Sequence, residues 1–195
     1  MRIKTMLVLA AALLFSFQAA AEGPAPGDDA PAFQMRPINS EQCGLTGPVS
    51  YNRFLNMEDA KRPKAYLVSF FASHCAACIK ELPQIQQLYA ENAGKGLMVI
   101  HITIDTEEAG IKMVKELLAK NKVTFPVLSD KGNMLMRRYG VGKLPHSLLL
   151  DDEARVVNVA VGYSEEQYNE LVKGIGVLLS KAPSAPVTAE PVLAK

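Results

Sequence analysis

The chain contains no tryptophan, and only three of its 195 residues are cysteine. Small secreted domains held together by disulfides use cysteines in larger, even numbers, so these three do not indicate such a scaffold. The formal net charge of +1 gives no reason to expect nucleic acid or an acidic membrane surface as a partner. The length suffices for one sizeable core and is short for two domains.

The sequence also lacks an apolar run long enough for a membrane span at its N-terminus. The run over residues 6–17 has 12 residues, where a bilayer demands about 20. Arg2 and Lys4 precede this run, and an alanine triplet that ends at Ala21 follows it. This order is typical of a secretory signal peptide. We therefore predict a signal peptide over 1–21 and a periplasmic or otherwise extracytoplasmic protein.

Strand and helix patterns alternate through the remainder of the chain. Apolar runs predict strands over 65–72, 97–105, 147–151 and 155–161, and a short strand followed by a turn over 125–130. Helical patterns predict one helix from Cys78 that ends at Asn92-Ala93-Gly94, a second over 107–120, and a last one from the cap Ser164 to Leu179. Residues 133–141 are predicted to form a short helix that runs into a glycine-containing loop. The alternation indicates an α/β sandwich in which helices flank a central mixed β-sheet.

The two ends of the mature chain have weaker patterns. Residues 33–56 hold short apolar pieces that suggest a strand or hairpin, and the Ala/Pro-rich segment 181–195 is predicted to be a disordered tail. One domain over 22–180 lies between the signal peptide and this tail.

Cys75 and Cys78 are separated by two alanines where a buried strand meets a helix. At a helix N-terminus, free backbone N–H groups and the helix dipole favour a thiolate, which lowers the pKa of Cys75. Cys78 follows within reach and can release a mixed disulfide formed with a substrate. The spacing therefore predicts a redox dithiol in which Cys75 attacks and Cys78 resolves.

Two segments, FFASHCAACIKELP and YGVGKLPHSLLLDDEARVV, resemble the exported TlpA/ResA-like thiol–disulfide oxidoreductases of the thioredoxin superfamily. The resemblance extends in element order over roughly residues 28–180 and implies a thioredoxin-like fold. It implies that Pro145 is cis and packs against the dithiol, and that the backbone of Leu144 pairs with the substrate chain. It further implies disulfide-bonded protein clients, such as an apocytochrome c, and a membrane-bound thiol electron donor. No cofactor is expected, and the oligomeric state is left open.

The acidic position of this family corresponds to Glu81. One helical turn beyond Cys78, its carboxylate would lie on the same helix face and accept the proton of that thiol. The alternative is a solvated glutamate that interacts only with the helix dipole. Thioredoxin carries a buried aspartate six residues before its first cysteine, and this chain has Ser69 there.

Two departures from the family concern the residues around the cysteines. His74 replaces the usual tryptophan, and Ala76-Ala77 replaces a Gly-Pro or Glu-Pro pair. A protonated His74 would stabilise the Cys75 thiolate and make the dithiol more oxidising; alternatively it is an exposed flanking residue. With Leu144 and Pro145, it completes the candidate substrate-binding residues.

Rival interpretations use the same residues. Cys75, Cys78 and His146 supply sulfur and imidazole for a copper or zinc chaperone, with His74 nearby. A peroxidase of the peroxiredoxin type is excluded, because it requires a threonine three residues and a proline seven residues before the reactive cysteine. Here those positions hold alanine and valine.

Two further residues have interpretations of their own. Cys43 is predicted to be a buried, inert thiol, with a third redox thiol or an intermolecular link as the alternative. His101, in the middle of a strand, is predicted to be a core histidine with its hydrogen bonds satisfied.

Overall fold

The computed structural model describes residues 23–58 and 61–181. The predicted signal peptide and residues 182–195 of the predicted tail lie outside the described residues. Within the described ranges, no helix combines the length and the apolar character needed to cross a membrane.

Five strands form one sheet in the order β3-β2-β1-β4-β5. Their bounds are β1 Ala65–Phe71, β2 Leu97–Thr103, β3 Val127–Ser129, β4 His146–Asp151 and β5 Val156–Val161. β1, β2 and β3 are parallel, whereas β4 runs antiparallel to β1 and β5 antiparallel to β4. The predicted mixed central sheet is therefore confirmed.

Six α-helices accompany the sheet among the described residues: α1 Ser40–Cys43, α2 Tyr51–Leu55, α3 Ala76–Asn92, α4 Glu108–Lys120, α5 Met134–Arg138 and α6 Glu165–Ser180. α3 begins two residues before the predicted start and ends at the predicted Asn92. A 3-10 turn, Ala93–Lys95, follows it, so the left-handed glycine is Gly96 rather than Gly94. Ser164 caps α6 as predicted, because its hydroxyl accepts the backbone N–H of Gln167 at 3.2 Å.

The strand or hairpin predicted over 33–56 is wrong. This segment contains α1 and α2, and its β structure is a single bridge between Met35 and Val49. Tyr51 and Phe54 of α2 are buried against the sheet, which explains how so short a helix is held in place.

The two faces of the sheet bury different partners. On one face, strand residues such as Leu67 and Val99 pack with apolar side chains of α3, α4 and α6. On the other face, Tyr66, Val68 and Phe70 pack with the N-terminal segment and α5. Since every residue of β1 is buried, this strand lies at the centre of the sandwich.

The outer edge of β3 is closed by a side chain rather than by another strand. Asn39 is buried, donates its amide to the carbonyl of Phe125 at 2.9 Å and accepts the N–H of Val127 at 2.9 Å. Ile38 adds a backbone bond, because its N–H donates to the carbonyl of Val127 at 2.8 Å.

The topology gathers three chain segments at one end of the sheet. β1 ends there and leads through residues 72–75 into α3, and the parallel strand β2 ends beside it. The antiparallel strand β4 begins at the same end, because His146 pairs with Phe70. The dithiol, the segment that ends at Pro145 and the residues after Thr103 therefore meet at this end.

Candidate active site

The two cysteines of the CAAC segment form a disulfide at the start of α3, with their Cα atoms 5.3 Å apart. Cys75 is the N-cap residue, and its sulfur accepts the backbone N–H of Cys78 at 3.2 Å. Cys75 is half-buried, whereas Cys78 is buried. The accessible sulfur is thus the one that faces a helix N–H group, an arrangement that stabilises a thiolate when the disulfide is reduced.

The peptide bond between Leu144 and Pro145 is cis. The carbonyl of Pro145 accepts the N–H of Gly162 at 2.7 Å, which fixes the start of β4 against the end of β5. Leu144 is half-buried and, like Cys75, packs at the margin of the apolar cluster beneath α3. Among the described residues, no backbone hydrogen bond engages Leu144, so its polar groups are available to another chain.

Glu81 lies one turn after Cys78 in α3 and is only 5% exposed. Burial raises its pKa from 4.5 to about 7. The solvated alternative for this residue is therefore wrong. A carboxyl group with this pKa exchanges a proton readily near neutral pH.

His74 precedes the dithiol and leaves 75% of its side chain exposed. Its Nδ1 atom lies 3.9 Å from Oδ1 of Asp105, so the imidazole has a carboxylate neighbour as well as Cys75 in sequence. His74 therefore has the exposed position beside the dithiol that was one of its two predicted alternatives.

Sequence reasoning missed Asp105. Its carboxylate lies beneath the segment that enters the dithiol and accepts three short hydrogen bonds, from the N–H and hydroxyl of Ser73 and from the hydroxyl of Thr103. Its position in the sequence could have indicated it. Asp105 follows a buried strand that is parallel to the strand before the cysteines, and the carboxyl ends of parallel strands lie at the same edge of a sheet.

A pair of serines lies deeper in the sheet, Ser69 on β1 and Ser147 on the neighbouring strand β4. The hydroxyl of Ser147 donates to that of Ser69 at 2.8 Å, and both residues are buried. Ser69, the residue at the position of the thioredoxin aspartate, is therefore satisfied by a neighbouring strand and is not a charged group.

His101 pairs in register with Ser69 but does not have the predicted hydrogen bonds. Neither ring nitrogen has a partner among the described residues, and the ring packs between Phe71 and Phe125 at centroid distances of 5.3 and 4.7 Å. Burial lowers its pKa to about 3, so the imidazole is neutral at physiological pH. The expectation of a satisfied histidine was wrong because aromatic packing replaces the polar partners.

The geometry does not support the metal site suggested by the sequence. Within residues 23–58 and 61–181, no three histidine, cysteine or acidic side chains are grouped so that they could hold an ion. The ring of His146 faces Phe70 on the sheet face away from α3, and its Nδ1 has no partner among the described residues. Cys78, in contrast, packs on the α3 face.

Cys43 is half-buried rather than buried as predicted, and it is a free cysteine. Its sulfur contacts the carbonyl of Ser40 at 3.7 Å, within its own short helix.

A thioredoxin-like sheet with a dithiol at the start of a helix, next to a cis-proline, defines the class of thiol–disulfide oxidoreductases. The comparisons with known proteins agree. The chain belongs to the AhpC/TSA family, whose profile matches residues 26–159.

Two curated relatives carry the same activity in their names. Thiol-disulfide oxidoreductase ResA of Bacillus thuringiensis (strain Al Hakam) is 30% identical over 177 residues, which cover 89% of this chain and 91% of the relative. Sporulation thiol-disulfide oxidoreductase A of Bacillus subtilis (strain 168) is 25% identical over 171 residues, which cover 87% and 95%.

Solved structures share the fold. StoA from Bacillus subtilis superposes with a TM-score of 0.55 at 25% identity, covering 75% of this chain and 98% of StoA. A thioredoxin family protein from Chlorobium tepidum TLS, named thiol:disulfide interchange protein, has a TM-score of 0.59 at 23% identity and covers 78% and 99%. The predicted family resemblance, fold and enzyme class are therefore confirmed.

Proposed function

We propose that the mature protein acts outside the cytoplasm and reduces disulfides in exported client proteins, with Cys75 and Cys78 as the exchanging pair. The observation that carries this proposal is the dithiol at the N-terminus of α3, with one accessible and one buried cysteine. The signal peptide pattern over 1–21 supports the location. An apocytochrome c that awaits haem is a client of the appropriate kind.

The first step is attack by the Cys75 thiolate on one sulfur of a client disulfide. The client S–S bond breaks, a mixed disulfide with Cys75 forms, and the released client sulfur leaves as a thiolate that takes a proton from water. In the disulfide form the N–H of Cys78 lies 3.2 Å from the Cys75 sulfur. In the reduced protein the same N–H group would stabilise the attacking thiolate.

The second step is resolution by Cys78. Glu81 accepts the proton of the Cys78 thiol, and the resulting thiolate attacks the Cys75 sulfur of the mixed disulfide. The second client sulfur leaves as a thiolate and takes up the proton that Glu81 held, and the protein holds the Cys75–Cys78 disulfide. Two electrons have passed to the client, and a dithiol donor, which we propose is membrane-bound, returns them by the reverse exchange.

Substrate docking is assigned to Leu144, Pro145 and His74. The backbone of Leu144 is available for pairing with an extended client segment, as in other β-strand additions. The His74 side chain is exposed and directly precedes Cys75, and we propose that it contacts the bound segment.

The decisive experiment is a redox titration of the protein, purified after export, against glutathione and dithiothreitol buffers. A reversible two-electron couple at about −270 mV supports a reductase, whereas a value of about −120 mV would make the protein an oxidant of secreted thiols. Cys75→Ser abolishes the couple if the assignment is right. Cys43→Ser is the matched control and should leave it unchanged.

The location is tested separately. Cell fractionation and the mass of the purified protein show whether the chain begins at Glu22 outside the cytoplasm. A full-length chain in the cytoplasm would contradict the proposed location without affecting the titration.

A further inference from the structure

The end of β2 presents one carboxylate to the segment that precedes the dithiol. Oδ2 of Asp105 accepts the N–H of Ser73 at 2.8 Å and the hydroxyl of Thr103 at 2.6 Å, and Oδ1 accepts the hydroxyl of Ser73 at 2.7 Å. Both carboxylate oxygens are therefore in use, and the side chain is only 7% exposed. Hydrogen bonds to an ionised acceptor are roughly twice as strong as neutral ones.

The bonded segment leads directly into the reactive cysteine. Ser73 is buried, and the N–H of Cys75 donates to the carbonyl of Ala72 at 3.1 Å, so residues 72–75 form a tight turn. Fixing Ser73 from below thus fixes the turn that sets the position of Cys75. His74, between them, has its Nδ1 3.9 Å from the same carboxylate.

Helix α4 makes room for this carboxylate at Gly110. A Cβ atom at this glycine would lie 2.9 Å from Oδ1 and 3.1 Å from the Cβ of Asp105, closer than side chains tolerate. A glycine inside a helix costs about 0.5–1 kcal/mol relative to alanine. The close approach of Asp105 is a reason for a glycine there.

The carboxylate is charged in this setting. Burial alone would raise its pKa, but the hydrogen bonds from Thr103 and Ser73, together with nearby His74, outweigh burial and lower the pKa overall. A fixed negative charge therefore lies beneath the turn.

We propose that Asp105 is a positioning residue for thiol–disulfide exchange: it holds the turn before Cys75 and supplies a negative charge that opposes formation of the Cys75 thiolate. The charge makes the reduced form less stable and the dithiol a stronger reductant. The inference rests on the proposed function, in which Cys75 is the attacking thiol.

The test is the equilibrium constant of Asp105→Asn with glutathione at a fixed pH. Asparagine keeps the size of the side chain and removes the charge, so we expect a shift of at least threefold toward the reduced protein. For a two-electron couple this corresponds to about 14 mV. The same comparison in a His74→Ala background should retain the shift, because the effect does not pass through the imidazole.

Asp130→Asn is the matched control. Asp130 is also buried, and its carboxylate accepts the N–H groups of Leu135 and Met136 at 3.1 and 2.7 Å at the start of α5, not in the turn before Cys75. This variant should lose stability without a change in the glutathione equilibrium. If Asp105→Asn behaved in the same way, Asp105 would be purely structural and the proposal would be wrong.

Ser73→Ala covers the case in which Asp105→Asn does not fold. It removes the hydroxyl donor to Oδ1 and leaves the charge. The carboxylate, still held through Oδ2, can then turn Oδ1 toward solvent, so we expect a smaller shift in the same direction. An unchanged constant would overturn the proposal. A wild-type protein without any reversible titration would instead overturn the proposed function, so the two failures are distinguishable.

Discussion

Glu81 in α3 and Asp105, two residues after β2, are both almost buried near the dithiol. Glu81 is 5% exposed, and the side chain of Asp105 is 7% exposed. Their pKa values move in opposite directions. Burial raises that of Glu81 to about 7, whereas Asp105 has three short hydrogen bonds that lower its pKa against the effect of burial. Depth in the protein therefore does not decide the charge of a carboxylate; the donors around it do.

The difference separates two tasks at one site. A group that gains and loses a proton near pH 7 suits proton transfer to and from Cys78, and Glu81 is such a group. A group that stays charged suits a fixed structural and electrostatic role, which we assign to Asp105. Substitutions at Glu81 and Asp105 should separate these two tasks.

The stability that Glu81→Gln gains over the wild type should depend on pH. The folded-state pKa of Glu81 is raised to about 7 from an unfolded value near 4.5, so ionisation penalises the folded state increasingly as pH rises from 4.5 to 7. Removing the charge should stabilise the protein by about 3 kcal/mol at pH 8 and by less than about 1 kcal/mol at pH 5. Urea denaturation at the two pH values measures this, and an equal effect at both would contradict the raised pKa.

The same substitution should slow resolution of the mixed disulfide. Loss of a general base typically costs 10²–10⁴-fold, and we expect about a hundredfold for Glu81→Gln at pH 7. Stopped-flow release of the second thiol from a mixed disulfide with Cys75 measures the step. Glu91→Gln, an exposed glutamate on the same helix, is the control and should resolve at the wild-type rate.

Asp105→Asn should destabilise the protein by about 2 kcal/mol at pH 7, because hydrogen bonds to a charged group contribute about 1.5–3 kcal/mol. The pKa of Asp105 is lowered, so its contribution is present above the unfolded pKa of 3.8 and disappears as pH falls through the folded value. Denaturation at pH 7 and pH 3 should show the difference from wild type shrinking in acid. Asp29→Asn, at an exposed aspartate, should change neither value.

The smallest effect concerns the space beside Asp105. Gly110→Ala should destabilise the protein by about 1 kcal/mol, since the added methyl meets the carboxylate, although alanine is normally the better helix residue. Gly176→Ala in α6 is the control: nothing lies within 4 Å of its added Cβ, so thermal unfolding should show a gain of up to about 1 kcal/mol. If both Gly110→Ala and Gly176→Ala increased the thermal stability, a glycine at position 110 would not be needed to make room for Asp105.

Much of the fold follows from local pattern. The buried strands β1 and β2 are predominantly apolar, and the cysteine pair falls where the strand pattern changes to a helical one. The cis bond before Pro145 was implied by family resemblance rather than by any local pattern. The short helix α2 was missed, because five residues do not make a stable helix alone and its burial depends on distant side chains.

The site residues divide in the same way. Glu81 was found because it is one turn from Cys78 along the same helix. Asp105 was missed because its partner Ser73 is 32 residues away and meets it only when β1 and β2 pair. His101 was misjudged because the rule that buried polar groups have partners holds for most groups, and this one is enclosed by Phe71 and Phe125 instead.

Asn39 has a consequence for encounters between unrelated chains. The unpaired rim of a sheet is a template onto which a foreign strand can dock and begin aggregation. At Phe125 and Val127 such docking is blocked. The Asn39 amide bonds the carbonyl of Phe125 and the N–H of Val127, and the backbone of Ile38 bonds the carbonyl of Val127, so another strand cannot pair with these groups. In the proposed function, client chains meet the open backbone of Leu144, whereas the polar groups of Phe125 and Val127 at the β3 rim are already bonded.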